Sequence, residues 1–218
     1  MTYHLSTQPS VQAAINKSST CNTIEALQAA ITEFKEHPLC APDAMPGRAG
    51  AKYDQTMRIM ILGKAPAGTE HETRIPFSGP MGQVLREETQ IAGHDIETCW
   101  ITCASYWKAK NNTPNATLLA IARPFLFREI ELVRPSVIIC LGQKADEALI
   151  QKSESITPKA GNVWDFTTPN GITTKVFTTF CHAHIGYGRA ERAPEFREHL
   201  KKAWEIGAQE SCKFAKAA

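Results

Sequence analysis

Arg58-Ile59-Met60-Ile61-Leu62-Gly63 sets four large apolar residues in a row, closes them with a glycine and leads into a loop containing Pro66 and Gly68. A short continuous apolar run bounded by turn residues reads as a strand covered on both faces. Three further runs have the same character: Cys99 to Ser105 (CWITCAS), Ser136 to Gly142 (SVIICLG) and Lys175 to Phe180 (KVFTTF). Helical patterns separate or follow them, over Met81 to Ala92, Ala116 to Val133, Gln143 to Gln151 and Pro194 to Ala208. Strands alternating with helices predict a three-layer α/β/α sandwich around a central four-stranded, mostly parallel sheet. Residues 162–173 add a small strand or hairpin around Pro169-Asn170-Gly171.

Upstream, Thr23 or Asn22 caps a helix over Ile24 to Glu36, whose Ile24, Leu27, Ile31 and Phe34 fall at helical spacing before Pro38 ends it. Residues 40–56, with Pro42, Pro46, Gly47 and Gly50, read as loop. Residues 1–22 are rich in Ser, Thr, Gln and Asn and are expected to form a flexible segment. The expected organisation is that segment followed by a single domain over residues 23–210.

The chain has 218 residues, enough for one well-cored domain. With 24 Lys and Arg against 22 Asp and Glu, the net charge of +2 excludes a histone-like tail and a strongly acidic tract. It leaves room for a local basic stripe that would meet nucleic acid. No apolar run approaches the roughly 18 residues needed to cross a bilayer, and the first residues lack the pattern of a signal peptide. A cytoplasmic protein without membrane contact is expected. The seven cysteines include no C-x-x-C pair, so they read as buried reduced thiols rather than zinc ligands.

Ligands of open α/β sheets bind beyond the carboxyl ends of the strands. That directs attention to the loops starting at Gly63, Cys103, Gly142 and Cys181. The first of them, Gly63 to Glu72, is neither a Walker loop nor a dinucleotide fingerprint. After it comes Arg74-Ile75-Pro76-Phe77-Ser78-Gly79-Pro80-Met81-Gly82, where glycines opening a helix let backbone approach a ligand while Phe77 is held in the loop.

The order of these pieces carries more than any one of them. G-x-A-P and R-x-P-F-x-G-x-x-G-x-x-L are followed by a strand with Ile101-Thr102, a helix ending Arg134-Pro135-x-Val137, the strand I-I-C-L-G and a strand ending Thr179-Phe180-x-His182. From about residue 24 to residue 188 this resembles the uracil-DNA glycosylase superfamily, nearest its bacterial and archaeal class that carries a four-iron four-sulfur cluster. The resemblance implies a monomeric, monofunctional hydrolase that flips uracil out of single- or double-stranded DNA and cleaves its N-glycosidic bond in base-excision repair. Gly63 to Ala67, with Gly63 and Ala65 at the base, match the loop that approaches deoxyribose and base. Phe77 matches the aromatic that stacks on the extruded uracil, and His182 the histidine that hydrogen-bonds the departing base. Glu70, with Glu72 as second choice, falls at an acidic position and would orient a water and stabilise the sugar cation.

The departures matter equally. Lys64 stands where the family has a glutamate, and reads either as a phosphate contact or as a Schiff-base nucleophile. Cys103 replaces the uracil-reading asparagine. Either base discrimination is relaxed, admitting xanthine, hypoxanthine or hydroxymethyluracil, or Cys103 is a packed thiol and another loop, with Asn111 and Asn112, reads the base. Ala183 follows His182 where the family has proline. The four cluster cysteines would fall near Phe34, His37, Trp107 and Ala122, so no cluster, no other metal and no other cofactor is expected. DNA contacts are expected from Lys108, Lys110, Asn111 and Asn112, and from His184, Ile185, Tyr187 and Arg189, with Ile185 or Tyr187 as an inserted wedge. The competing reading is a binding protein for DNA or damaged bases that kept the fold and lost the chemistry. Retention of Phe77, His182 and Glu70 favours the enzyme.

Overall fold

All four apolar runs become strands. The computed structural model describes residues 8–40 and 43–217. Its elements run α1 (Pro9–Ser19), α2 (Ile24–Glu33), β1 (Arg48–Ala49), β2 (Ile59–Gly63), α3 (Gly68–Thr73), α4 (Pro80–Ile91), β3 (Trp100–Cys103), α5 (Ala116–Val133), β4 (Val137–Leu141), α6 (Gln143–Ile150), β5 (Val163–Thr167), β6 (Thr173–Thr179), α7 (Ala183–Gly186) and α8 (Ala193–Ala217). The sheet order is β1-β3-β2-β4-β6-β5. The four expected strands are its parallel centre, with Ile61 paired to both Ile101 and Ile139, and Ile138 to Val176. The expectation of four strands is corrected to six, because a short antiparallel strand flanks each edge. β1 pairs Ala49 with Trp100 inside the segment that composition marks as loop, and β5 forms the expected hairpin with β6.

Alternation along each central strand explains the three layers. Ile59, Ile61, Ile101, Val137, Ile139 and Phe177 pack under α4 and α8 with Leu85, Phe196, Leu200 and Trp204. Met60, Leu62, Trp100, Ile138, Cys140 and Val176 pack on the other face under α5 and α6 with Leu126, Phe127, Ile130 and Leu149. Neither face is left to water, which is why these strands read as unbroken apolar runs. Thr23 is the cap of α2, its hydroxyl accepting from the Ala26 N–H at 3.2 Å. The Asn115 side chain does the same for α5 at the Leu118 N–H, 2.8 Å away.

The N-terminal expectation is also corrected. Residues Pro9–Ser19 of the segment expected to be flexible form α1, which lies against α5 with Val11 and Ala14 fully buried. Lys17 pairs with Glu33 at 3.2 Å, joining α1 to α2. Residues 1–7 of that segment lie outside the described residues. No helix among the described residues is long and apolar enough to cross a membrane.

Candidate active site

The carboxyl ends of β2, β3, β4 and β6 open on one side of the sheet, and a cavity of about 330 Å³ lies there. Gly63, Lys64, Ala65 and Glu70 line it from the first loop and α3, and Phe77 and Met81 from the turn into α4. Cys103, Asn111 and Asn112 reach it from beyond β3, and His182 and Tyr187 from beyond β6. Apart from Glu72, the second choice for the acid, every catalytic and base-binding residue expected from the sequence is therefore on one wall or another of this cavity.

Phe77 is held in an unusual posture. Its φ is +55°, a left-handed conformation that a bulky residue adopts only when its surroundings enforce it. Two contacts enforce it. Arg86 Nη1 donates to the Phe77 carbonyl at 2.6 Å, and Gly82 leaves room for that carbonyl where a Cβ would overlap it. The ring lies over Gly63, where a Cβ would stand 2.8 Å from Phe77 Cζ. The two glycines thus let the backbone of β2 and α4 close around one aromatic ring.

His182 meets that ring edge to face, with centroids 5.4 Å apart. It is 6% exposed, and its Nδ1 is buried without a hydrogen-bond partner among the described residues. Burial, helped by the nearby charges of Lys64 and His184, lowers its pKa to about 4. The imidazole is neutral at physiological pH and still offers an N–H. Buried polar atoms without partners are rare in folded proteins and invite a functional explanation.

Glu70 is buried and fixed by backbone. Its Oε2 accepts from the Ala67 N–H at 3.2 Å and its Oε1 from the Gly79 N–H at 3.3 Å. The carboxylate therefore ties the first loop to the turn that presents Phe77, a role the sequence alone did not suggest. Glu72 is exposed and does not line the cavity. Cys103 is buried beside Gly63, and desolvation pushes its thiol well above the ordinary range, so it stays protonated.

Lys108, Lys110, Asn111, Asn112, His184 and Arg189 are all exposed, and of these Asn111 and Asn112 line the cavity. Asn111 and Asn112 both have left-handed backbones, with φ of 55° and 53°, in a tight turn that carries them to the cavity mouth. The two wedge candidates separate: Ile185 is half-buried and packs against the core under α4, whereas Tyr187 is 77% exposed at the mouth. Met45, Met81, Leu141 and Cys181 also line the cavity and escaped the sequence reading, apart from Cys181 as the start of a loop. Met45 arrives from the segment before β1, its N–H bonded to the Tyr106 carbonyl at 2.7 Å. Only the rule that strand ends line such sites could have found Leu141.

The place of the resembled class's iron–sulfur cluster is built for something else. Phe34, Trp107 and Ala122 are fully buried in the cluster of apolar side chains between α1, α2 and α5. Phe34 meets Trp107 at 5.8 Å and Phe125 at 5.3 Å, centroid to centroid. Nearby His37 turns its Nδ1 to the Leu39 N–H at 3.1 Å. Cys40, in the same apolar cluster, has its thiol pushed up to about 12 by burial and is no thiolate donor. Among the described residues no three His, Cys, Asp or Glu side chains are grouped to hold a metal. These residues do not fit a cluster. Purified protein is expected to be colourless, and stoichiometric iron with visible charge-transfer absorbance would overturn that.

A family model described as the uracil DNA glycosylase superfamily matches residues 51–206, from before β2 into α8. Three relatives named type-4 uracil-DNA glycosylase are each 32% identical to this chain. The one from Thermotoga maritima aligns over 67% of this chain and 76% of its own length. Those from Pyrobaculum aerophilum and Saccharolobus solfataricus align over 56% of this chain, which spans 60% and 55% of their lengths. The likeness runs through the strands whose ends build the cavity, and with more than half of its residues matched the chain belongs to the uracil-DNA glycosylase superfamily.

Proposed function

We propose that this protein is a monofunctional DNA glycosylase that removes uracil from DNA by hydrolysing its N-glycosidic bond. The observation that carries the reading is the pairing of Phe77 and His182 in one cavity, an aromatic ring beside a buried, neutral imidazole whose Nδ1 has no hydrogen-bond partner among the described residues. Relatives that carry the name type-4 uracil-DNA glycosylase support it.

The chemistry follows from the charges that develop. A base inside a duplex is inaccessible, so it must be turned out of the stack before the bond can be cut. The exposed ring of Tyr187 at the mouth fills the gap left in the stack, and Lys108, Lys110 and Arg189 meet the phosphates. The extruded uracil stacks on Phe77. As its bond to the sugar stretches, negative charge gathers on the base and positive charge on the sugar. His182 donates to a base carbonyl oxygen where the negative charge grows, and being neutral it can do so without giving up its proton. The fixed carboxylate of Glu70 lies on the sugar side and steadies the cation while a water attacks. The enzyme acts as a monomer in the cytoplasm, on single- or double-stranded DNA.

The test is direct: labelled oligonucleotides bearing uracil, xanthine, hypoxanthine or hydroxymethyluracil are incubated with the protein and then treated with alkali. Alkali-dependent strand cleavage at uracil is expected. Tight binding without cleavage at any base would favour a binding protein instead.

Base selectivity turns on Cys103. The cavity wall carries four sulfur side chains, Met45, Met81, Cys103 and Cys181, none of them a strong hydrogen-bond partner for a base edge. Cys103→Asn adds a donor and an acceptor at that wall. Uracil excision is expected to rise relative to xanthine excision by up to ~1–3 kcal/mol, the scale of one good bidentate base contact. The ratio of the two rates, parent against mutant, is the measurement. An unchanged ratio in folded protein would move base reading to Asn111 and Asn112.

A further inference from the structure

Lys64 follows Gly63 at the end of β2 and is half-buried on the wall of the cavity that holds Phe77 and His182. Among the described residues seven lysines, Lys159 with Asp146 and Glu154 among them, pair with an acidic side chain. Lys64 has no ion pair and no side-chain hydrogen bond among the described residues. The acid on the same wall, Glu70, has given one oxygen to the Ala67 N–H and the other to the Gly79 N–H. What does feel the ammonium is the segment after β6: its charge disfavours protonation of His182 and His184 and favours ionisation of Cys181.

A partly desolvated cation among neutral donors is a poor arrangement for the empty protein and a good one for an anion. Two anions are at hand in the glycosylase reading, a DNA phosphate and the departing base. The phosphates have the exposed Lys108, Lys110 and Arg189 to meet, none of which lines the cavity. Lys64 lines the cavity itself, with its charge acting on His182. We propose that Lys64 is a catalytic residue whose ammonium, together with the neutral His182, stabilises the negative charge on the leaving base. The inference rests on the glycosylase reading. The bond between the sugar C1′ and the base nitrogen breaks heterolytically, and its electron pair leaves with the base as an anion. Water then adds its oxygen to C1′, and the proton it releases ends on the base. Lys64 stays protonated throughout and forms no covalent bond.

Single-turnover rates on uracil and on 5-fluorouracil, a better leaving group because fluorine withdraws charge, separate the possibilities. Lys64→Met is expected to slow uracil release by roughly 10- to 100-fold, near the cost of losing one charge-stabilising donor. Release of 5-fluorouracil should slow several-fold less, because its anion needs less help. Lys64→Arg should retain most of the parental rate, and the salt dependence of DNA binding should not change. A readout independent of activity accompanies it: the His182 imidazole, followed by NMR, should titrate at higher pH in Lys64→Met than in the parent.

Equal slowing of both bases, with a shallower salt dependence of binding, would make Lys64 a phosphate contact and overturn the assignment. A DNA–protein adduct trapped by borohydride in the parent would overturn it in favour of a Schiff base. Parental rates in Lys64→Met, or an unmoved His182 titration, would overturn it while leaving the glycosylase reading intact. A parent that releases neither base would instead overturn the glycosylase reading, and this assignment with it.

Discussion

His182→Ala is expected to slow the release of uracil from DNA by ~10² or more, while affinity for uracil-containing DNA changes far less. The asymmetry follows from when the imidazole matters. In the ground state it faces a neutral carbonyl, and in the transition state an oxygen gaining a full share of negative charge, so its interaction strengthens as the bond breaks. The cavity keeps this donor buried, 6% exposed and, among the described residues, without a competing partner at Nδ1. Its pKa of about 4 fixes the form in which it acts. An imidazolium acid of ordinary pKa would make the parental rate fall as pH rises through 6.5; with the pKa lowered to about 4, no fall is expected there. The same depression predicts a stability effect of definite sign. The folded chain resists protonating His182 and the unfolded chain does not, so stability contributed by the neutral form is present above about pH 6.5. It is lost as pH falls towards 4, by up to on the order of 3 kcal/mol for this one group. His182→Gln should flatten that part of the stability profile. A parental rate in His182→Ala, or a rate that tracks an imidazolium titration, would remove His182 from the role given it.

The sheet was legible because its central strands are covered on both faces, so runs such as Val137–Leu141 are continuously apolar, short and bounded by turn residues. The helices after them followed from spacing, as Ala116–Val133 shows to the residue, although the last, expected to end at Ala208, runs on to Ala217. What could not be read has physical reasons. α1 looks like loop because it buries mainly small side chains, Ser10, Val11, Ala14 and Ser18, which let it lie close to α5 without a long apolar stripe. β1 is two residues long, too short to show any period. In the site, Lys64 and His182 could be singled out because they follow strand ends, and Glu70 and Phe77 because they come next in a family-like order; all four line one cavity. Met45 and Met81 were missed because an apolar side chain on a cavity wall has the same sequence signature as one in the core. The fixing of Glu70 by two backbone N–H groups could not be foreseen, since it depends on where residues 67 and 79 come to lie.

Trp107→Ala is expected to cost ~3–5 kcal/mol of stability, the range for removing a fully buried large aromatic side chain. For a chain of this length that corresponds to a loss of roughly 10 °C in Tm. The ring is fully buried between Phe34 and Phe125, 5.8 Å and 6.2 Å away by centroids, with Tyr106 at its edge. It therefore ties α2 and α5 to the loop that continues into Lys108, Lys110 and the Asn111–Asn112 turn. The packing is not perfect, because Trp107 Nε1 is buried with no partner among the described residues. An unsatisfied buried N–H costs about 1–3 kcal/mol, so Trp107→Phe, which removes that N–H and keeps a ring, should lose much less than Trp107→Ala. The pair of variants separates ring packing from polar strain. If the aromatic contact itself matters, Phe34→Leu and Trp107→Leu should couple by about 0.5–1.5 kcal/mol in a double-mutant cycle followed by urea unfolding. The folded fraction of Trp107→Ala should also bind DNA more weakly than the parent, since the rim has lost its anchor, while His182→Ala should not. A cost below ~1 kcal/mol for Trp107→Ala, or no coupling to Phe34, would show that the rim is held from elsewhere and that these rings merely fill space.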